Sequence, residues 1–331
     1  MEREIRRTTA TLEYTLSCVG QMPRTLLTDD ARNLTFECLH AEEAEFLFEE
    51  VFTRRSYCQS GVRVPKRGAP LVVDVGANIG LFSLFALTEN PRATVIAIEP
   101  APQLFAILER NLDHHFDTGA AECVRALMLD EPGVQTLYYY ADAPGESTRN
   151  PIERSMQRKR LATAMREGSR GGAGSRAFCE EDDADGHPIA VEARTLSQVL
   201  DAARLSSALS ASTIALLKID VEGDEEQVLH GLSASRWRTV QQVVIEVHDV
   251  DGRLERVCTL LRSHGFRVEA TQQRSSTVRG YLIVVPATLK LWYVFAVRVR
   301  RSPRRVAAEP VAVKVEVASR KRPDDEDTQL C

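Results

Sequence analysis

The run Leu71-Val72-Val73-Asp74-Val75-Gly76-Ala77-Asn78-Ile79-Gly80-Leu81 restricts the fold of this chain more than any other segment. Its apolar, β-branched half shows no alternation, which predicts a strand covered on both faces, as in the middle of a parallel sheet. Gly76 and Gly80 carry no Cβ, so the backbone can turn tightly there and a ligand can approach closely. Apolar residues return at helical spacing with Leu81, Leu84, Phe85 and Leu87, and Asn90-Pro91 ends that helix. A second buried strand, Thr94 to Ile98, then delivers Glu99 and Pro100.

An acid at the end of a second strand is placed to hold a ribose diol in a nucleotide-binding α/β sheet. The glycine spacing, however, is G-x-x-x-G with Asn78 between, and Asp74 precedes the first glycine. A dinucleotide fingerprint has G-x-G-x-x-G and seats a pyrophosphate, which an acid at that point would repel. Asp74 instead suits a ligand with a cationic end. S-adenosyl-L-methionine meets these demands: its ammonium near Asp74, its carboxylate near the turn amides, its ribose on Glu99. NAD stands as the weaker alternative.

The same residues, Asp74-Val75-Gly76-Ala77-Asn78-Ile79-Gly80 followed by Ile98-Glu99-Pro100, resemble the cofactor half of a class I methyltransferase of the FkbM family. Leu216-Leu217-Lys218-Ile219-Asp220-Val221-Glu222-Gly223 and Val243-Val244-Ile245-Glu246-Val247-His248-Asp249 extend the resemblance, and Phe46 to Phe52 with Tyr57 is similar to the family's leader. It covers roughly residues 40 to 300. The resemblance implies a Rossmann-like class I methyltransferase fold, with a mostly parallel seven-stranded sheet and helices on both faces. It also implies a methyltransferase, best known in this family for O-methylation of natural products and sugars. Gly76, Ala77, Asn78, Gly80, Pro100 and Asp220 would then line the cofactor site with Asp74 and Glu99. Leu127, in the stretch Arg125 to Met128, would wall the adenine, and Asp130 is a candidate contact to its amine or simply a turn residue.

With 331 residues and 44% hydrophobic content, the chain can bury one large α/β core with extensions. A net charge of −5 argues against a dedicated nucleic-acid binder. The seven cysteines are scattered and odd in number, which favours reduced thiols and a cytoplasmic enzyme over a disulfide framework. No apolar segment follows the charged start, so no signal peptide is expected. The stretch Tyr281 to Val297 contains Pro286 and Lys290; two edge or terminal strands explain it better than a membrane span. Three regions are expected: a leader over 1–65 with an amphipathic helix from Ala41 to Phe52, a methyltransferase domain over 66–300, and a charged tail over 301–331. Arg54-Arg55-Ser56-Tyr57 could reach the cofactor mouth or form a solvated turn. Within the domain, 141–190 changes to Pro, Gly, Ser and Arg and reads as an insert, either a substrate lid or a tolerated surface loop.

Methyl transfer to a hydroxyl needs alignment and a group to take the proton. Asp220, Glu222, Glu246, His248 and Asp249 gather at the ends of two strands, and such accumulations of titratable groups beside a cleft tend to be functional. His248 is the expected general base, with Asp220 and Glu246 beside it; Lys218 is expected to form a structural pair with Glu246 or Asp220. The same acids and imidazole could hold a divalent metal, a reading not favoured because no ligand spacing supports it. The expected acceptor is a small hydroxylated metabolite such as a glycoside, polyketide or peptide product, with neither nucleic acid nor membrane as partner. N-methylation and a non-catalytic scaffold are the alternatives, and oligomeric state is unreadable.

Overall fold

The computed structural model describes residues 13–18, 23–116, 119–168, 186–203, 213–273, 275–278, 281–284, 290–299 and 313–314. An antiparallel meander opens the chain, with β1 (Glu13–Cys18), β2 (Pro23–Asp29) and β3 (Leu34–Cys38). The leader helix Ala41–Phe48 follows and continues as a π-turn, Glu49–Thr53. The sequence predicted one amphipathic helix here; the π-turn at its end is new.

Next come β4 (Leu71–Val75), β5 (Thr94–Ile98) and β6 (Ala121–Val124), separated by the helices Leu81–Glu89 and Pro102–His115. β7 (Leu127–Leu129), β8 (Gly133–Tyr139) and β9 (His187–Thr195) form a separate sheet in the order β7-β9-β8. The chain returns to the main sheet with β10 (Ile214–Ile219), β11 (Gln242–His248) and β12 (Phe266–Gln272). A hairpin of β13 (Ser275–Val278) and β14 (Tyr281–Val284) leads to β15 (Leu291–Arg298), and β16 is the pair Val313–Lys314. The main sheet runs β6-β5-β4-β10-β11-β15-β12, with β16 at the edge. Its one antiparallel strand is β15, set between the mutually parallel β11 and β12. This is the Rossmann-like class I methyltransferase arrangement, with two residues of an eighth strand added.

Side-chain alternation divides the core into two layers. Leu71, Val73 and Val75 of β4 pack on one face of the sheet with Leu217, Ile219, Val243, Ile245 and Val294. Val72 packs on the other face with Leu216, Val244, Tyr293 and Phe295, under the leader. On that second face the alternation also places Asp74, Lys218, Glu246 and Tyr293 on four adjacent strands. Lys218 lies opposite Asp74, and Glu246 opposite Tyr293. The buried strands therefore carry a polar stripe that the leader covers.

Several expectations change. β15 is an interior strand, not an edge, because Tyr293 to Ala296 are buried on both faces. β8 lies outside the main sheet, antiparallel to β9, and its first half is exposed. The first part of the insert forms the helix Pro151–Gly168, while 169–185 and most of the 301–331 tail lie outside the described residues. Among the described residues no helix is long and apolar enough to cross a membrane.

Asn111 ties the opening meander to the main sheet. Its Oδ1 accepts from the Glu37 amide at 2.7 Å, and its Nδ2 donates to the carbonyls of Glu37 at 3.0 Å and Ile79 at 2.7 Å. Replacing Asn111 with alanine leaves buried backbone groups unpaired and should cost about 2–3 kcal/mol of stability. Urea unfolding of the variant checks this.

Candidate functional site

The turn after β4 is held by crowding and by hydrogen bonds. Gly76 has φ +75°, and a Cβ there would lie 1.7 Å from the Asp220 carbonyl oxygen. Gly80 has φ +91°, and its Cβ would meet Leu108 Cδ1 at 2.7 Å. Between them Asn78 adopts φ +51°, a conformation that asparagine tolerates better than most residues. The amides of Gly76 and Ala77 both donate to Ile98 O at 2.9 Å, fastening the turn to the end of β5. Glu99 Oε2 accepts from the Asn78 amide at 2.9 Å, and its Oε1 accepts from the Ala101 amide at 3.0 Å. Burial nonetheless pushes the Glu99 carboxyl up to about 7, against the pull of those two amides and of Lys218.

A cavity of about 310 Å³ opens beside this turn. Of the residues expected at the cofactor, Gly76, Ala77, Asn78, Glu99, Pro100, Leu127 and Asp220 line it, and so does Glu246. Leu81 and Phe82, in the first turn of the helix Leu81–Glu89, also form its wall. Amides in a first turn have no intrahelical partner, which favours an anionic group there.

Three expected residues do not line the cavity. Asp74 is fully buried beneath it, with Oδ2 accepting from Ser83 Oγ at 2.7 Å and Oδ1 3.2 Å from Lys218 Nζ. The aspartate that reaches the cavity is Asp220, whose side chain is 21% exposed. Gly80 packs on Leu108 behind the turn. His248 is buried, with Nδ1 3.4 Å from Glu222 and Nε2 3.9 Å from Glu246. Burial favours its neutral ring, but Glu222, Glu246 and Glu225 outweigh that and hold the imidazole up at about 10. Held between Glu222 and Glu246 and off the cavity lining, His248 is poorly placed to act as the general base. Asp130 is exposed and also lies off the lining, so its turn role stands.

Tyr57 and Lys218 reach the site as the sequence allowed, whereas Glu50 and Arg149 were not foreseen. Tyr57 is buried and donates to Asp220 Oδ2 at 2.8 Å, fixing the carboxylate from the leader side. Arg55, by contrast, turns away to pair with Glu89. Glu50, from the π-turn, lines the cavity and accepts from the Tyr293 hydroxyl. Lys218 is the buried cation beneath them, donating to Gly76 O at 2.7 Å and lying 3.5 Å from Asp220. On the far side Arg149 forms a two-pronged pair with Asp224 at 2.8 and 2.7 Å. Among the described residues, no group of three or more His, Cys, Asp or Glu is arranged to hold a metal ion.

The fit of Gly76 against Asp220 can be tested without a ligand. Gly76→Ala combines a left-handed backbone with a collision against a carbonyl, and should lower stability on the order of 2–4 kcal/mol. A melting temperature equal to wild type would mean that β10 and the turn can separate.

Comparison with known proteins places this geometry. The methyltransferase FkbM domain model matches residues 74–268. The 31-O-demethyl-FK506 methyltransferase FkbM of Streptomyces tacrolimicus is 40% identical over 242 residues, covering 71% of this chain and 86% of that protein. Methyltransferase sdnD of Sordaria araneosa is 31% identical over 241 residues, covering 72% of this chain and 88% of its own. Among solved structures, the precorrin-6y C5,15-methyltransferase of Geobacter metallireducens GS-15 is 15% identical, covers 71% of this chain and 82% of its own, and has a TM-score of 0.37. With its matched domain spanning the glycine turn, Glu99, Asp220 and Glu246, this chain belongs to the FkbM family of S-adenosylmethionine-dependent methyltransferases.

Proposed function

We propose that the chain methylates a hydroxyl group of a small natural-product metabolite, without a metal ion. The observation that carries this reading is the pairing, in one cavity, of the glycine turn with the carboxylates of Asp220 and Glu246. A hydroxyl acceptor needs a group to receive its proton, and a carboxylate within reach supplies one. The name of the Streptomyces tacrolimicus relative, which specifies an O-demethyl substrate, points the same way.

The cavity suits the cofactor because its lining joins apolar and hydrogen-bonding groups, and because a Cβ at Gly76 would collide with the Asp220 carbonyl that shapes one wall. Ala126, Leu127 and Met128 would flank the adenine, Glu99 would accept from the ribose hydroxyls, and Asp220 would meet the ammonium. The first turn of Leu81–Glu89 would face the carboxylate. When bound, S-adenosylmethionine supplies a methyl group activated by its sulfonium. The protein's task is then to bring an acceptor oxygen into line and to exclude water. Tyr57 keeps Asp220 oriented for this, while Lys218 holds the turn and the same carboxylate in one frame. Glu246, on the cavity wall, is the proposed proton acceptor in place of His248.

Two outcomes are expected. Calorimetric titration should show Glu99→Ala binding S-adenosylmethionine about 10- to 100-fold more weakly, since hydrogen bonds to a buried carboxylate contribute roughly 1–3 kcal/mol. In the wild type the affinity should fall as pH drops below about 7, because the Glu99 carboxyl, held near that value, then loses the charge that accepts the ribose hydroxyls. Turnover on an acceptor found by mass-spectrometric screening of hydroxylated metabolites should survive exhaustive chelation. A magnesium requirement would overturn the metal-free reading, and methylation confined to amines would overturn the hydroxyl assignment.

A further inference from the structure

Glu50 comes from outside the matched domain, yet it opens onto the same cavity as Glu246. Its carboxyl is 5% exposed and accepts from the Tyr293 hydroxyl, and Tyr293 stands directly opposite Glu246 in the β11–β15 ladder. A phenol has one proton to give. That hydroxyl faces both acids and favours the ionised form of each, but it can donate to only one of them at a time.

The surrounding charges do not make up the deficit. From β10 and the loop after it come Lys218, Asp220 and Glu222; from β4 comes Asp74; from β11, His248. Lys218 is committed to Asp74, Asp220 and the Gly76 carbonyl. His248 lies nearer to Glu222, at 3.4 Å, than to Glu246, at 3.9 Å. From the leader, Tyr57 donates its proton to Asp220. His248 favours ionised Glu246 and Lys218 favours ionised Glu50, yet carboxylates still outnumber cations here, and two neighbouring buried acids cannot both ionise cheaply. Burial, followed by the charge of Glu246, pushes Glu50 up to about 8, and burial and Asp220 raise Glu246 as well.

We propose that Glu50 and Glu246 share one proton across the Tyr293 hydroxyl and act together as the group that takes the acceptor's proton. This rests on the proposed methylation of a hydroxyl. The acceptor O–H bond breaks, the proton passes to the ionised member of the pair, and the electron pair left on oxygen makes the new bond to carbon. The pair then holds two protons and returns one to water. The π-turn gives the leader its part in this, since the extra residue of such a turn redirects a side chain, and such turns recur at functional sites. Glu50 in this account touches the reacting region, whereas Tyr293 positions the two acids.

The experiment is a pH titration of the wild-type chain carrying ¹³Cδ-labelled glutamate, followed by NMR. The two carboxyl resonances are assigned by their loss in Glu50→Gln and Glu246→Gln. A shared proton predicts that the Glu50 midpoint lies above neutrality and falls by about one pH unit or more in Glu246→Gln. Tyr293→Phe, which removes the hydroxyl that favours ionised Glu50, should move the same midpoint upward. An unchanged midpoint in either variant would reduce Glu50 to an isolated buried acid and overturn the proposal. With an acceptor in hand, Glu50→Gln should lower kcat about 10²-fold and abolish the rise of rate through the pair's midpoint. Calorimetry of the wild type with S-adenosylmethionine is run in parallel, so that a failure of the cofactor reading shows there and a failure of the pair shows in the midpoints.

Discussion

Everything around the cavity is arranged about one buried cation, Lys218. A lysine inside a parallel sheet is costly unless its charge is matched and its protons are accepted. Here Asp74 and Asp220 match the charge, and the Gly76 carbonyl accepts a proton. Burial opposes its charge, but the two aspartates prevail and hold the ammonium above its ordinary range. One side chain thus binds the ends of two strands, β4 and β10, and the turn between β4 and the following helix. Removing it would strand Asp74, which is fully buried and whose Oδ1 has no hydrogen-bond donor in its place. The shape of the turn and the position of Asp220 are consequences of this contact as much as of the glycines.

The contact also explains why the site is rich in acids. With Lys218 saturated by two carboxylates, each further acid on the same face must find a proton, a phenol or an imidazolium. Glu50 finds Tyr293 and Glu222 finds His248, while Tyr57 fixes Asp220 beside Lys218. His248 therefore serves electrostatic balance, lying between Glu222 and Glu246 rather than on the cavity lining.

Most of the sheet was legible because burial on both faces leaves an uninterrupted apolar run, as in Leu71 to Val75 and Thr94 to Ile98. The glycine turn and Glu99 were legible because only certain residue types satisfy a left-handed backbone and a diol. What hid was the sidedness of polar residues within apolar strands. Asp74 was read as a ligand contact, whereas alternation turns it to the leader face, beneath the cavity. Lys218 was read as half of a structural pair, correctly, but its partner across the ladder is Asp74. Glu50 left no sequence signal, because an acid in an amphipathic helix looks like a solvated one until a π-turn rotates it inward. The place of β15 was equally hidden: its apolar run fits an edge or an interior, and only pairing on both sides decides.

Glu50 and Tyr293 stand 243 positions apart in the chain, yet they make a direct side-chain contact. During synthesis the leader emerges early, while the strand that must receive its carboxyl is among the last of the main sheet to appear. A nascent chain that has formed β4, β5, β6, β10 and β11 already possesses the glycine turn and Glu99. It still exposes one edge of β11, and its polar stripe lacks the tyrosine. The glycine turn can thus be assembled well before Glu50 meets Tyr293, and β15 must then pair between two other strands across a long sequence separation.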